Sequence, residues 1–363
     1  MVRMMSSLDQ FRKRVVRSSL FSPCGLGEAM TRLGFVQADP IRSPARAQDL
    51  ILRHRVKDYR AGDLERLYPG LGLEECYLYA YGFLSKDLWR IVQPSMDEPL
   101  TSAEEEALEL IERYGPMHPK ELEAHVGRVR AQNCWGGFSR TAKLAMESLH
   151  ERGALRVARR DKGIRIYETA EGFEQRLTEA ERFQEIVVAT LKAMGAMTQK
   201  FLLSELSHFG HLVEGLGARR RCLQGLIDAG RIRVDLVDAV EYLSLEGENG
   251  GRRKLNGVRI LAPFDPIVRD RTRFEHLWNW TYRFEAYTPK VKRKLGYYAM
   301  PVLWREQIVG WANAAVEEGR LTVDFGYASM RPNEEGYREA AELEVVRLAQ
   351  FLGLGERCWE ASI

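Results

Sequence analysis

The stretch Gly115-Pro116-Met117-His118-Pro119-Lys120 has a counterpart 80 residues later in Gly195-Ala196-Met197-Thr198-Gln199-Lys200. A second stretch, Leu149-His150-Glu151-Arg152-Gly153-Ala154-Leu155-Arg156-Val157, matches Leu226-Ile227-Asp228-Ala229-Gly230-Arg231-Ile232-Arg233-Val234 at an offset of 77. Two ends of one unit, found twice at nearly equal spacing, mark an internal repeat. Any fold for this chain must therefore contain the same supersecondary block at least twice.

The first copy can be read in detail. Thr101 and Glu104 form a capping box that opens a helix running to about Tyr114. A short helix follows Gly115-Pro116, and a basic third helix spans Ser139 to about Arg152. Two strands then flank a turn at Asp161-Lys162-Gly163, giving a basic β-hairpin. Three helices followed by a basic hairpin is the pattern of a winged helix-turn-helix. The second copy opens with a helix over 179–194.

The N-terminal segment reads either as a third, degenerate copy or as a plain helical cap. Its helices are expected over 8–20, with Leu8, Phe11 and Val15 on one side, and after Gly25, using Leu26, Met30 and Leu33. A third is expected over 43–56, with Ser43 as N-cap, Pro44 at the first position, and Arg46, Arg53 and Arg55 on the outer face. A polar turn region over 59–70 and a tyrosine-rich helix over 74–95 (Tyr77, Tyr79, Tyr81) complete the segment.

From residue 258 the pattern changes to strands and turns. Val258 to Pro266 leads into an Arg-rich loop (Arg269, Arg271, Arg273), then an aromatic stretch over 278–288. Strands are expected over 295–304, 307–311 and 320–325, and a closing helix over 335–352. The expected fold class is α+β, with tandem winged helix-turn-helix units followed by a C-terminal β-rich domain. The boundaries are 1–98, 99–172, 173–257 and 258–363.

A formal net charge of +3 says little about partners, but the placement of the cations does. The second segment puts Arg140 and Lys143 on its third helix and Arg156, Arg159, Arg160, Lys162 and Arg165 on its hairpin. The third carries Arg219-Arg220-Arg221 and Arg252-Arg253-Lys254. The C-terminal domain adds Lys290-Val291-Lys292-Arg293-Lys294 beside Tyr287 and Tyr297. Any one cluster could be an ordinary solvated face, but four of them on repeat-equivalent elements point to nucleic acid, where each neutralised phosphate releases counterions. The expected contacts are Arg46, Arg53, Arg140, Lys143, Arg159, Arg160, Lys162, Arg219, Arg220, Lys292 and Arg293.

Other classes are disfavoured. The five cysteines form no CxxC pair, which fits reduced thiols and a cytoplasmic protein. No apolar run reaches membrane-span length, and the N-terminus lacks the apolar core of a signal peptide. His208 and His211 stand three apart without further ligands and read as helix-surface residues, so no metal or cofactor is expected.

One short stretch stands outside the repeat. Leu33-Gly34-Phe35-Val36-Gln37-Ala38-Asp39-Pro40 is apolar and β-prone and ends at a proline. Alternation along a strand would direct Gln37 and Asp39 to one face, about 7 Å apart along the backbone. An amide and a carboxylate so placed can hold one water between them. The plainer reading is that Asp39-Pro40 simply starts a turn after a buried strand.

The run from Gln37 through Pro40, Ser43, Pro44 and Arg46 to Leu50 resembles the winged-helix DNA glycosylases of the AlkX/YcaQ and AlkZ family. So does Pro263-Phe264-Asp265-Pro266-Ile267-Val268-Arg269-Asp270-Arg271, followed by Tyr298 to Trp304 and Val309-Gly310. The likeness spans essentially the whole chain. It implies bacterial repair enzymes that remove N-alkylated bases and unhook interstrand crosslinks, with tandem winged units around a duplex and a catalytic Gln-apolar-Asp strand. Gln37 and Asp39 carry over as the catalytic residues. The chain departs from the family pattern at Ala38, where a larger aliphatic is usual, and at Tyr81, where many members have histidine.

The implied chemistry suits a single carboxylate. O-glycosidases use two because the leaving oxygen must be protonated. An N7- or N3-alkylated purine is already cationic, so one carboxylate can stabilise the sugar cation and orient or deprotonate a water. The expected function is a monofunctional DNA glycosylase of base-excision repair, acting as a monomer on double-stranded DNA with alkylated or crosslinked bases. The alternatives are a non-catalytic winged-helix regulator, since fold does not fix function, and a family member that binds alkylated DNA without cutting it. A regulator usually dimerises through a dedicated helix on a two-fold operator, and the sequence holds no long coiled-coil segment.

Overall fold

Each copy of the repeat folds into three helices and a two-stranded hairpin. The first comprises Ser102–Tyr114, Pro119–Val126, Thr141–Glu151 and the strands Leu155–Asp161 and Ile164–Thr169. The second comprises Glu179–Met194, Gln199–Glu205, Leu216–Asp228 and the strands Ile232–Val237 and Val240–Leu245. This computed structural model describes residues 3–94, 99–132, 136–248, 255–333, 335–355 and 358–363.

The matched residues do equivalent work in the two copies. Gly115 and Gly195 both end the first helix with positive φ, 82° and 75°, where a side chain would be strained. Two residues later, Met117 exchanges backbone hydrogen bonds with Tyr167 of its hairpin, and Met197 does the same with Leu243. Both hairpins turn through two consecutive positive-φ residues, Lys162-Gly163 and Asp238-Ala239, as tight two-residue hairpins require. The capping box at Thr101 and Glu104 is present.

The chain packs as two compact units. One comprises Met1–Leu64, Leu78–Gly82 and Glu179–Ile363; the other comprises Glu65–Tyr77 and Phe83–Thr178. The second unit holds the first repeat copy around a core that includes Ile111, Leu122, Met146, Leu149, Val157 and Tyr167. In the first unit, Arg3–Met5 adds in parallel to Ile232–Val237 of the second copy's hairpin. The C-terminal part of that unit is a five-stranded sheet in the order Val258–Ile260, Met300–Trp304, Gln307–Glu317, Arg320–Tyr327, Trp359–Ser362, with only the last pair parallel. The closing helix, Tyr337–Phe351, buries Ala341, Val345, Leu348 and Phe351. Among the described residues no helix is long and apolar enough to cross a membrane.

Four expectations change. The helix expected over 43–56 is Ala47–Leu52 with Arg46 at its cap, because the chain turns at 43–45, where Ser43 N–H bonds to Ala45 O. The 59–70 region contains a short helix, Asp63–Leu67, and a 3-10 turn, Tyr68–Gly70. The tyrosine-rich stretch is two strands, Leu73–Tyr77 and Tyr81–Ser85, and then a helix, Lys86–Val92, capped by Ser85. Tyrosine and phenylalanine favour strands, and Gly82 weakens a helix.

The fourth change is the Arg-rich loop, which is two helices, Pro266–Arg269 and Arg271–Trp278. The side chains of Asp265 and Asp270 accept the capping N–H groups of Ile267 and Arg273. An Asp-Pro start is a strong helix signal. A further two-stranded ladder, Arg130–Gln132 with Phe138–Arg140, precedes the third helix of the first copy.

Candidate active site

The strand around which the site forms is short, Phe35–Gln37, and all three residues are buried. It tolerates close approach because its neighbour carries Gly82, where a Cβ would sit 2.3 Å from Val36 O and 2.5 Å from the Phe35 ring. Pairing ends just past Gln37, with Ala38 N–H donating to Tyr81 O at 2.9 Å. The two departures from the family pattern, Ala38 and Tyr81, are thus joined by a backbone hydrogen bond and are both half-buried. Beyond them Asp39 leaves the strand, and its Oδ1 accepts the Ile41 N–H at 2.9 Å. This Asx turn is the local turn reading in structural form, and it leaves Oδ2 without a partner among the described residues.

Gln37 is held from a distant part of the chain. Arg269 Nη1 donates to Gln37 Oε1 at 2.7 Å, and its Nη2 donates to Glu205 Oε2 at 2.7 Å. The guanidinium lies 5.1 Å from the centre of the Tyr79 ring, itself edge-on to Phe35 at 4.7 Å. A guanidinium can only donate, so the amide orientation is fixed. Oε1 faces Arg269, and the Nε2 amino group is left without a partner among the described residues.

Arg269 is in turn fixed by its helix. That helix begins at Asp265, which forms a two-point ion pair with Arg55 at 2.8 and 3.0 Å. Both side chains are fully buried. Asp265 within the Pro-Phe-Asp-Pro block is therefore a helix cap and an internal anchor.

Half-burial raises the pKa of the Asp39 carboxyl above its ordinary value of 3.8, with the Ile41 N–H as a smaller opposing influence. Tyr298 is 2% exposed, and its buried hydroxyl has no partner among the described residues. Burial first, and the nearby Asp39 charge second, push its ionisation well above the ordinary tyrosine range. It therefore stays an O–H donor beside a carboxylate. If ionised Asp39 is the working form, activity falls as pH drops through the raised pKa. The acid limb of kcat/KM is expected to have its midpoint above 3.8. A midpoint at or below that value, measured in a pH–rate profile, would argue against Asp39 as the titrating group.

The expected DNA contacts separate into two groups. Arg159, Lys162, Arg220 and Lys292 are exposed, and Lys143 is exposed with only a loose approach to Glu147 at 3.7 Å. Arg140 lies beside Glu123 at 3.5 Å, and Arg46 is half-buried at a helix cap. The other four are engaged inside the fold. Arg53, whose side chain is 4% exposed, pairs with Glu344, and Arg160 pairs with Glu75. Arg219 donates to Val213 O and Gly210 O, and Arg293 donates to Thr288 O while lying over the Tyr297 ring. Arg55, expected on an outer face, is buried with Asp265. Arg252, Arg253 and Lys254 lie outside the described residues.

Sequence reasoning set Gln37 and Asp39 together but missed Arg269, Glu205 and Tyr298 as their neighbours. The one available signal was that Arg269 and Tyr298 fall inside the C-terminal motif blocks.

A family model described as DNA glycosylase AlkZ-like matches residues 30–351, a span that contains both motif blocks. Among solved structures, the chain is similar to the DNA glycosylase AlkZ of Streptomyces sahachiroi. The TM-score is 0.65 at 14% identity, with 99% of this chain and 100% of that chain covered. At that identity the likeness is one of fold, and it agrees with the α+β class.

Proposed function

Because the chain belongs to the AlkZ-like DNA glycosylase family, we propose that Gln37 and Asp39 hydrolyse the N-glycosidic bond of N-alkylated, cationic purines in duplex DNA. The observation that carries this reading is the lock on Gln37. With Oε1 held by Arg269, the free amino group can donate to one lone pair of a water. Asp39 Oδ2 accepts one proton of that water, and its second lone pair is left to attack C1′. As the C1′–N bond breaks, its electron pair enters the purine and cancels the ring's positive charge. The leaving base needs no acid. The water proton passes to Asp39, and the carboxylate stabilises the sugar cation on the way.

Ala38 and Tyr81 adjoin this pair, so lesion preference belongs to the same local site. Asp39 is only half-buried, which suits bulky adducts and crosslinks that cannot swing freely into a closed pocket. The two repeat copies are read as winged helix-turn-helix units, with segment limits at 98/99, 172/173 and 257/258, acting in a monomeric cytoplasmic enzyme of base-excision repair. Membership of a glycosylase family disfavours the regulator reading.

The exposed hairpin cations carry the expected duplex contact of the second unit. An Arg159→Gln/Lys162→Gln double variant is expected to bind all duplex sequences more weakly. The slope of log K against log salt should shrink by about 0.9 for each phosphate that is no longer neutralised. An unchanged slope would remove the hairpin from the interface.

The direct test of function is a duplex carrying N7-methylguanine. Free base should be released, leaving an abasic strand that stays uncut until treated with alkali, as a monofunctional enzyme requires. Binding without release from any alkylated or crosslinked duplex would make this chain a passive binder.

A further inference from the structure

A cavity in the first unit, of about 400 Å³, is lined by five cationic side chains, Arg53, Lys57, Arg60, Arg259 and Arg347, against two carboxylates, Asp58 and Glu344. Its volume lies within the range of small-molecule sites. The mechanism proposed above uses none of these residues.

The walls are built rather than incidental. Glu344 Oε1 accepts from both Arg53 and the Ile260 N–H, while Arg53 also donates to Ile260 O. The Arg53 guanidinium sits 5.8 Å from the centre of the Phe351 ring, which stacks on Tyr59. The loop bearing Lys57 is tied down by Lys57 N–H to Cys24 O and Cys24 N–H to Arg55 O, each 3.0 Å. The Lys57 and Arg347 side chains have no ion-pair or hydrogen-bond partner among the described residues. Burial, together with the charges of Arg53 and Arg259, holds the adjacent His54 well below its ordinary pKa, so it adds no charge of its own.

The lining is unbalanced in charge: five cations stand against two carboxylates, and one of those, Glu344, is already bonded to Arg53 and the Ile260 N–H. A ligand that offsets this excess must be anionic and able to accept several charge-assisted hydrogen bonds.

We propose that the cavity lined by Arg53, Lys57 and Arg347 binds a phosphoryl group. The volume suits a phosphate monoester of a small molecule, such as a ribonucleoside monophosphate. The same phosphoryl chemistry is present in the DNA backbone, and the test separates the two sources.

The test uses the full chain and an Arg347→Gln/Lys57→Gln double variant, both positions being exposed. Calorimetric titration with adenosine monophosphate, against chloride at matched ionic strength, should give saturable binding by the wild type. The variant should bind roughly tenfold or more weakly, as expected when charge-assisted hydrogen bonds are removed. If the wild type ignores the monophosphate but the variant loses duplex affinity with a reduced salt slope, the site stands and its phosphoryl source is the DNA backbone. No monophosphate binding together with unchanged duplex affinity overturns the proposal.

Discussion

Asp39→Asn is expected to lower the single-turnover rate of base release from N7-methylguanine duplex by about 100- to 10,000-fold, the usual span for a positioned general base. The substitution keeps the size of the side chain and an oxygen for the Ile41 N–H. It removes the charge that stabilises the sugar cation and the site that receives the water proton. Duplex affinity should be nearly unchanged, because no cation facing phosphate is touched. The variant must also lose the acid limb of the pH profile, since the titrating group is gone. Equal release by the two proteins would remove Asp39 from the mechanism. A matched fall in release and duplex binding would make its role structural. Tyr298→Phe separates the neighbour from the base: it deletes a buried hydroxyl near the Asp39 charge while keeping the carboxylate and its titration.

The repeat was legible because its marks are local. A glycine that must take positive φ, a capping box and a two-residue turn are each decided within a few residues, so the helices and hairpins follow from short windows. The tyrosine-rich stretch failed for the opposite reason. Tyr77, Tyr79 and Tyr81 can be fitted to a helix or to a strand, and only pairing decides. Here Ala38 N–H meets Tyr81 O, and Gly82 allows the Phe35–Gln37 strand to come close.

The active site shows the same division. Gln37 and Asp39 are two positions apart and could be read together. Arg269, which fixes the orientation of the Gln37 amide, is 232 residues away. In sequence it is one of three arginines that look like a solvated loop. Apart from its place inside the C-terminal motif block, nothing distinguishes Arg269, which reaches Gln37, from Arg273, which is fully buried and donates to Met194 O, Ala196 O and Pro266 O.

Asp265→Ala is expected to cost about 3–5 kcal/mol of stability, the range for removing one partner of a buried ion pair. The Arg55 guanidinium would be left fully buried. Its bonds to Ser19 O, Ser19 Oγ and Ile51 O remain, but none of these groups carries a charge. The same change removes the cap on Ile267 N–H, at the start of the helix that holds Arg269 against Gln37. Thermal unfolding should shift down by roughly 10 °C, from the usual scaling for a domain of this size. Base release by the fraction still folded should also fall, because Gln37 loses its fixed orientation. Removing both charges together, Arg55→Met with Asp265→Leu, should recover part of the stability, since an apolar pair carries no desolvation penalty. It should not recover activity, because the cap on the Arg269 helix stays absent. A loss below about 1 kcal/mol for Asp265→Ala would put that side chain in the range of an exposed ion pair, and the anchor assigned to this motif would have to be found elsewhere.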